Sequence, residues 1–170
     1  MLGRSGILAF LHISIANTIL EDSPQSDNVG RCLTIDFRSP ITNSTYTDII
    51  VYCVAGPSTD AQIKIQTTLA KHVNQKLSQR KGNVNTVFSD TNSVSTMRFR
   101  NGTEEDKLQG ADDKPYALWK IMDAHQMRSL NGDRSDITYT YVPNGNEVSL
   151  IDHVFVPLHA PPAKIMTARS

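Results

Sequence analysis

With 170 residues, 39% of them hydrophobic and 20% charged, the chain has room for one ordinary domain and is too apolar for a disordered segment. Lys and Arg total 17 and Asp and Glu total 17, so the formal net charge is zero and bulk charge argues for no nucleic acid partner, although a neutral protein can carry a basic face. The 2 cysteines, Cys32 and Cys53, exclude a disulfide framework and a cysteine-only zinc site, and in apolar runs they read as small buried hydrophobes.

The chain starts with Met1 to Arg4 and an apolar stretch from Gly6 to Ala16. Two readings compete for it: a secretory signal, or a core strand over Gly6 to Ile13. His12 and Ser14 interrupt the run, which is also too short to span a bilayer, so the core strand is expected. The sequons Asn43-Ser44-Thr45 and Asn101-Gly102-Thr103 fit the secreted alternative. An intracellular, nuclear setting without membrane attachment is the expected one.

Arg31 to Phe37 alternates, with Cys32, Thr34 and Asp36 set against Leu33, Ile35 and Phe37. Asp48 to Val54 is rich in β-branched residues and runs into Ala55-Gly56-Pro57, the pattern of a buried strand stopping at a turn. A helix should follow. Ser58 or Thr59 can cap it, Asp60 suits its positive end, and Ile65, Leu69, Val73 and Leu77 form one apolar stripe before Gly82. Asn85 to Val94 reads as a short strand turning polar, and Met97 to Pro115 as a surface loop. Pro115 suits the first turn of a second helix carrying Leu118, Ile121, Met122 and His125 on one side, with His125 expected to pack rather than bind metal. Two alternating runs within Asp136 to Val156 flank Pro143-Asn144-Gly145-Asn146, a strong hairpin signal. His159 to Ser170 has no periodic pattern. The succession indicates a mixed α/β class.

Three features can carry chemistry. Asp90 closes Val87-Phe88-Ser89-Asp90-Thr91-Asn92, where a carboxylate at a strand end can orient or deprotonate water and Asn92 can hold the same water or a phosphate oxygen. Asp-x-Asn also suits an ordinary turn. Asp152 interrupts the apolar run Leu150 to Val156, and a carboxylate in a strand interior is costly unless paired. It can orient a catalytic imidazole or make a structural hydrogen bond. Tyr52, just before the Ala-Gly-Pro turn, can donate to a phosphate or pack at the sheet edge.

In this order the motifs resemble the endonuclease/exonuclease/phosphatase family, especially the endonuclease domains of non-LTR retrotransposons. Gly6-Ile-Leu-Ala-Phe-Leu with Ile15-Ala-Asn17 looks like the family's Gly-Val-Ala-Ile-Leu strand and its loop, and Gly30 to Asp36 like its next strand. Ile50 to Pro57 is similar to the Val-Tyr-Ala-Pro strand end, which matches Tyr52 to the phosphate-contacting tyrosine. Val87 to Val94 resembles Gly-Asp-Phe-Asn, so Asp90 and Asn92 match the water-positioning and phosphate-contacting pair. Tyr139-Thr-Tyr141 through Ser149-Leu-Ile-Asp152 resembles the closing hairpin pattern, and Asp152 matches the carboxylate that orients the catalytic histidine.

The resemblance spans residues 6 to 157 and implies an incomplete four-layer α/β sandwich of the DNase I-like type, followed by an irregular tail over residues 158 to 170. It implies Mg²⁺ as cofactor, DNA as partner and attack of water on a phosphodiester. The chain also departs from the pattern. Ser89 stands for the motif's glycine, Thr91 for its apolar residue and Val54 for its proline. No residue matches the family's N-terminal asparagine motif, its metal-binding glutamate or its terminal Ser-Asp-His. The expectation is a truncated domain with little or no activity; a non-catalytic binding remnant or a phosphatase on small phosphorylated substrates is the alternative.

Overall fold

The structure is a computed structural model that describes residues 7, 9, 11, 13–54, 59–79, 84–92, 117–130 and 152–160. Among these residues six strands form one mixed sheet: β1 (Gln25–Ser26), β2 (Cys32–Arg38), β3 (Thr45–Tyr52), β4 (Val84–Asp90), β5 (Met127–Ser129) and β6 (Asp152–Pro157). Their order across the sheet is β1-β2-β3-β4-β6-β5. The helices are α1 (Ile13–Ala16), α2 (Asp60–Gln79) and α3 (Ala117–Ala124). The α/β class read from the sequence holds.

β2 and β3 are antiparallel neighbours, whereas β3 and β4 run parallel and so need the crossover that α2 supplies. β6 runs antiparallel to both β4 and β5. This arrangement puts the last residues of β3 and β4 beside the first residue of β6.

Helix α2 begins with a reciprocal cap: Thr59 Oγ1 accepts from the Gln62 backbone N–H at 3.3 Å, and the Thr59 N–H donates to Gln62 Oε1 at 3.1 Å. Thr59, rather than Ser58, forms this pair; residues 55 to 58 lie outside the described residues. The buried face is Gln66, Leu69, Ala70, Val73 and Leu77, so Gln66 takes the place expected of Ile65. Its Oε1 accepts the Val54 N–H at 2.9 Å, which ties the end of the β3 segment to the helix.

The core lies between α2, α3 and one face of the sheet. Ile49, Val51, Val87 and Phe155 meet Leu69, Val73, Leu118 and Met122 there. Cys32 and Cys53 are free and buried in the same core, as expected, and burial pushes the Cys53 thiol up to about 11, which removes it as a nucleophile at neutral pH. The polar half of β2 is also buried on this side: Thr47 Oγ1 donates to Asp36 Oδ1 at 2.7 Å. Thr34 and Asp36 are thus inside with Cys32, and Ile35 is buried on the other side; the buried carboxylate is tolerated because it has a donor.

Two expectations are corrected. The core strand expected to extend to Ile13 is not seen there: Ile13 opens α1 and is 79% exposed, and positions 7, 9 and 11 carry no strand pairing. β5 was not foreseen at all, being three residues long and separated from α3 by only His125 and Gln126. The hairpin around Asn144-Gly145 and the loop from Met97 to Pro115 lie outside the described residues.

Between α3 and β5 the chain turns through Gln126 at φ 53°, a left-handed conformation that glycine adopts without cost. Gln126→Gly should therefore stabilise the protein by roughly 0.5–1 kcal/mol, the left-handed strain relieved less the extra chain entropy of glycine. Chemical denaturation would read this as a raised midpoint at unchanged slope. The backbone carbonyl of Gln126, which accepts the Leu158 N–H at 2.7 Å, is retained in that variant.

Candidate active site

Pairing register brings three of the four residues singled out in the sequence into one row. Tyr52 is opposite Asp90, and Asp90 is opposite Asp152. The mechanism is alternation: Val51, Ser89 and His153 face the helices, so their neighbours Tyr52, Asp90 and Asp152 face the other way. A groove of about 340 Å³ runs along this row, lined by Ile50, Tyr52, Phe88, Asp90, Asp152 and Val154 and bordered also by Ile7, Val51, Ser89 and His153.

Asp90 ends β4 and is followed by a tight turn. Its Oδ1 accepts the Asn92 N–H at 2.9 Å, and Asn92 has φ 46°, which asparagine tolerates better than most residues. Thr91 between them is buried. The Asn92 side chain crosses to β3's end, where Nδ2 donates to the Cys53 carbonyl at 2.9 Å. Asp90 and Asn92 thus belong to one turn, as the motif requires, and the asparagine amide also holds the turn against the neighbouring strand.

Partial burial is the main reason the Asp90 carboxyl sits above its ordinary value, and the negative charge of Asp152 pushes the same way. The Asn92 backbone N–H opposes both. Two acids side by side at the edge of a groove repel unless a cation or a proton joins them.

Asp152 was expected inside a strand running from Leu150; residues 150 and 151 lie outside the described residues. Asp152 itself is exposed and is the first described residue of β6. Tyr52 is 41% exposed with its ring turned toward the open face. Arg31, which sequence reading passed over, places its guanidinium carbon 5.0 Å from the centre of that ring. The signal for it was its place as the first residue of the alternating run Arg31 to Phe37, opposite in phase to Cys32.

His153, adjacent to Asp152 in sequence, is on the opposite face. Its Nδ1 lies 3.0 Å from Ser129 Oγ, both side chains are buried, and its ring packs 5.5 Å from that of Phe155. Its buried side chain is committed to Ser129 and Phe155, although the residue borders the groove. His125 falls one residue past α3 rather than on it as expected; it is half-buried, and its Nε2 lies 2.9 Å from Asn74 Oδ1 on α2.

Among the described residues no group of three or more His, Cys, Asp or Glu is placed to hold a metal ion. Mg²⁺ is often held by only one or two carboxylates together with water and substrate phosphate, and the repelling Asp90–Asp152 pair fits that mode.

No family model and no curated protein sequence matches the chain. Solved structures do. An AP endonuclease from Leishmania major aligns with TM-score 0.56 at 12% identity, covering 77% of this chain and 47% of its own. A Neisseria 3′ phosphatase bound to a product DNA hairpin aligns with TM-score 0.53 at 13% identity, over 77% of this chain and 53% of its own. The human Nocturnin catalytic domain with a bound sulfate aligns with TM-score 0.51 at 11% identity, over 85% and 50%. The chain spans about half the length of these structures. Its mixed sheet, with helices packed on one face, has the α/β fold of endonuclease/exonuclease/phosphatase proteins over that half.

Proposed function

We propose that the row Tyr52, Asp90, Asp152, with Asn92 beside it, is a phosphoryl-binding site of the metal-dependent phosphodiester hydrolase kind, with DNA as its partner in the manner of a retroelement endonuclease. The observation that carries this reading is the register Tyr52–Asp90–Asp152 across three strands at the mouth of one groove. It joins residues separated by 38 and 62 positions in the chain, since Tyr52, Asp90 and Asp152 are so numbered. The likeness to a DNA-bound phosphatase and an AP endonuclease supports the fold on which such a site is built.

Asp90 and Asp152 would hold Mg²⁺, which when bound stabilises charge on phosphoryl oxygens and on the leaving group. The Tyr52 hydroxyl and the amide N–H that Asn92 does not spend on Cys53 would bind phosphate oxygens. Asp90 would orient water. Within the 170 residues nothing is assigned to the roles of the family's metal-binding glutamate and catalytic histidine, and each electrostatic group of that kind is worth about 3–4 kcal/mol in the transition state. Turnover should therefore be slow or absent while binding persists.

Thermal unfolding with and without Mg²⁺, paired with nicking of supercoiled plasmid, tests this. Mg²⁺ should raise the melting temperature of the natural chain but not of Asp90→Asn, and nicking should stay near background. An equal Mg²⁺ response in both proteins would remove the metal site. Vigorous nicking abolished by Asp90→Ala would overturn the low-activity clause, and vigorous nicking indifferent to Asp90 would overturn the site.

A further inference from the structure

Arg31 stands at the entry to β2, and its backbone carbonyl accepts the Tyr52 N–H at 2.9 Å, which extends the β2–β3 ladder by one residue. Because Cys32 faces α2, Arg31 faces the groove side with Tyr52. The row across the sheet then has four members, a guanidinium at one end and two carboxylates at the other.

The guanidinium is fixed in place. Its plane lies over the Tyr52 ring, and Nη1 donates to the carbonyls of Tyr52 at 3.2 Å and Cys53 at 3.3 Å. The Cys53 carbonyl is the same oxygen that accepts Asn92 Nδ2. Arg31 and Asn92 therefore meet at one atom, each a single hydrogen bond away from it. An arginine has N–H donors on three nitrogens, and the two on Nη1 are spent on these carbonyls. Nε and Nη2, the side-on fork that matches two oxygens of a phosphate, bond to no carboxylate among the described residues. A structural arginine needs only its carbonyls and ring; this one also presents an unused, preoriented fork beside Tyr52 and Asn92.

We propose that Arg31 is a phosphate-binding residue of this site, its Nε/Nη2 fork taking the non-bridging oxygens of a phosphoryl group seated against Tyr52 and Asn92. The inference rests on the phosphoryl-site reading above. It adds a permanent cation that needs no metal, so phosphate binding should persist in metal-free buffer. The phosphoryl group can come from a DNA backbone or from a small phosphorylated compound.

The experiment uses the whole chain and the variants Arg31→Ala, Arg31→Gln and Arg31→Lys, all checked for an unchanged circular dichroism melt. Binding of a short fluorescein-labelled DNA duplex is followed by anisotropy over a range of NaCl concentrations without divalent metal, and binding of inorganic phosphate by phosphorus NMR. Arg31→Ala and Arg31→Gln should weaken duplex binding about tenfold or more and lower the slope of log affinity against log salt by about 0.9, the loss of one phosphate contact. Arg31→Lys should restore the slope because it restores the charge. Should the natural chain bind inorganic phosphate but not duplex, the same loss in Arg31→Ala read with phosphate supports the inference for a small phosphorylated ligand. Duplex binding with unaltered affinity and slope in Arg31→Ala and Arg31→Gln overturns the role of Arg31 and leaves the site reading standing. Weakened binding with an unaltered slope also overturns it, because Arg31 would then only buttress Tyr52. If neither probe binds the natural chain without metal, the inference fails; binding that then appears on adding Mg²⁺ leaves the phosphoryl-site reading standing, and no binding with Mg²⁺ either overturns that reading as well.

Discussion

Phe155→Ala should cost the protein about 3–5 kcal/mol of stability. The ring is 1% exposed, pairs in register with Val87 on one side and Ser129 on the other, and belongs to the cluster that joins the sheet to α2 and α3. Emptying such a site removes the transfer free energy of the ring and leaves a cavity that a strand held by neighbours on both edges closes poorly, a loss of about 3–5 kcal/mol. Domains of this size typically hold about 5–15 kcal/mol in total, so the loss is a large share of the stability. Urea denaturation gives the measure. Phe155→Leu, which retains much of the volume, should lose far less; equal losses in the two variants would show that packing is not what Phe155 supplies. The His153 ring packed on Phe155 should also lose its order, which imidazole proton NMR would report.

Asp90→Asn should separate stability from function. Asparagine has the same shape and can still accept the Asn92 N–H, but it is neutral beside Asp152. Because burial and Asp152 hold the Asp90 carboxyl above its ordinary value, the folded state binds its proton more readily than the unfolded chain does. Stability from this group is complete below the unfolded-chain value and is lost as pH rises through the raised folded-state value. At neutral pH, in the absence of metal, Asp90→Asn should therefore melt at or above the temperature of the natural chain. That advantage should shrink as the solution is acidified through the folded-state value. Any Mg²⁺-dependent hydrolysis should fall by roughly 10²–10³-fold, as for other single electrostatic groups. A variant that melts lower at neutral pH, with the gap unchanged on acidification, would show that the Asp90–Asp152 pair is already neutralised in the native chain.

The strands were legible where β-branched residues run together. Cys32 to Arg38 and Thr45 to Tyr52 differ from the expected bounds by one to three residues, since alternation marks an element's centre better than its ends. α2 was legible because Leu69, Val73 and Leu77 recur on one helical face. Its capping residue and buried Gln66 were less so, because which cap forms and which polar side chain is buried depend on where the preceding strand ends. β5 escaped notice because three residues carry too little periodicity to register. The stretch before Ile13 was apolar enough for a strand, but apolarity alone names no partner to pair with.

Tyr52, Asp90, Asn92 and Asp152 were found as residues by their types and by the order of the motifs around them. That they share one face follows from the period of two along each strand, which the sequence contains. That they stand beside each other depends on a parallel β3–β4 pairing and an antiparallel β4–β6 pairing, and register is a property of the folded sheet. The same pairing leaves Asp152 exposed beside Asp90 and turns the His153 side chain to the buried side. Arg31 became part of the site only because Tyr52's backbone bonds to it across the ladder. The sequence by itself determined the α/β class, the helix-facing stripe of α2 and the identities of the chemical groups, since local periodicity and side-chain chemistry are written residue by residue. The tertiary structure alone decided which of those groups meet, because contact between distant residues is set by strand register and by packing against the helix layer.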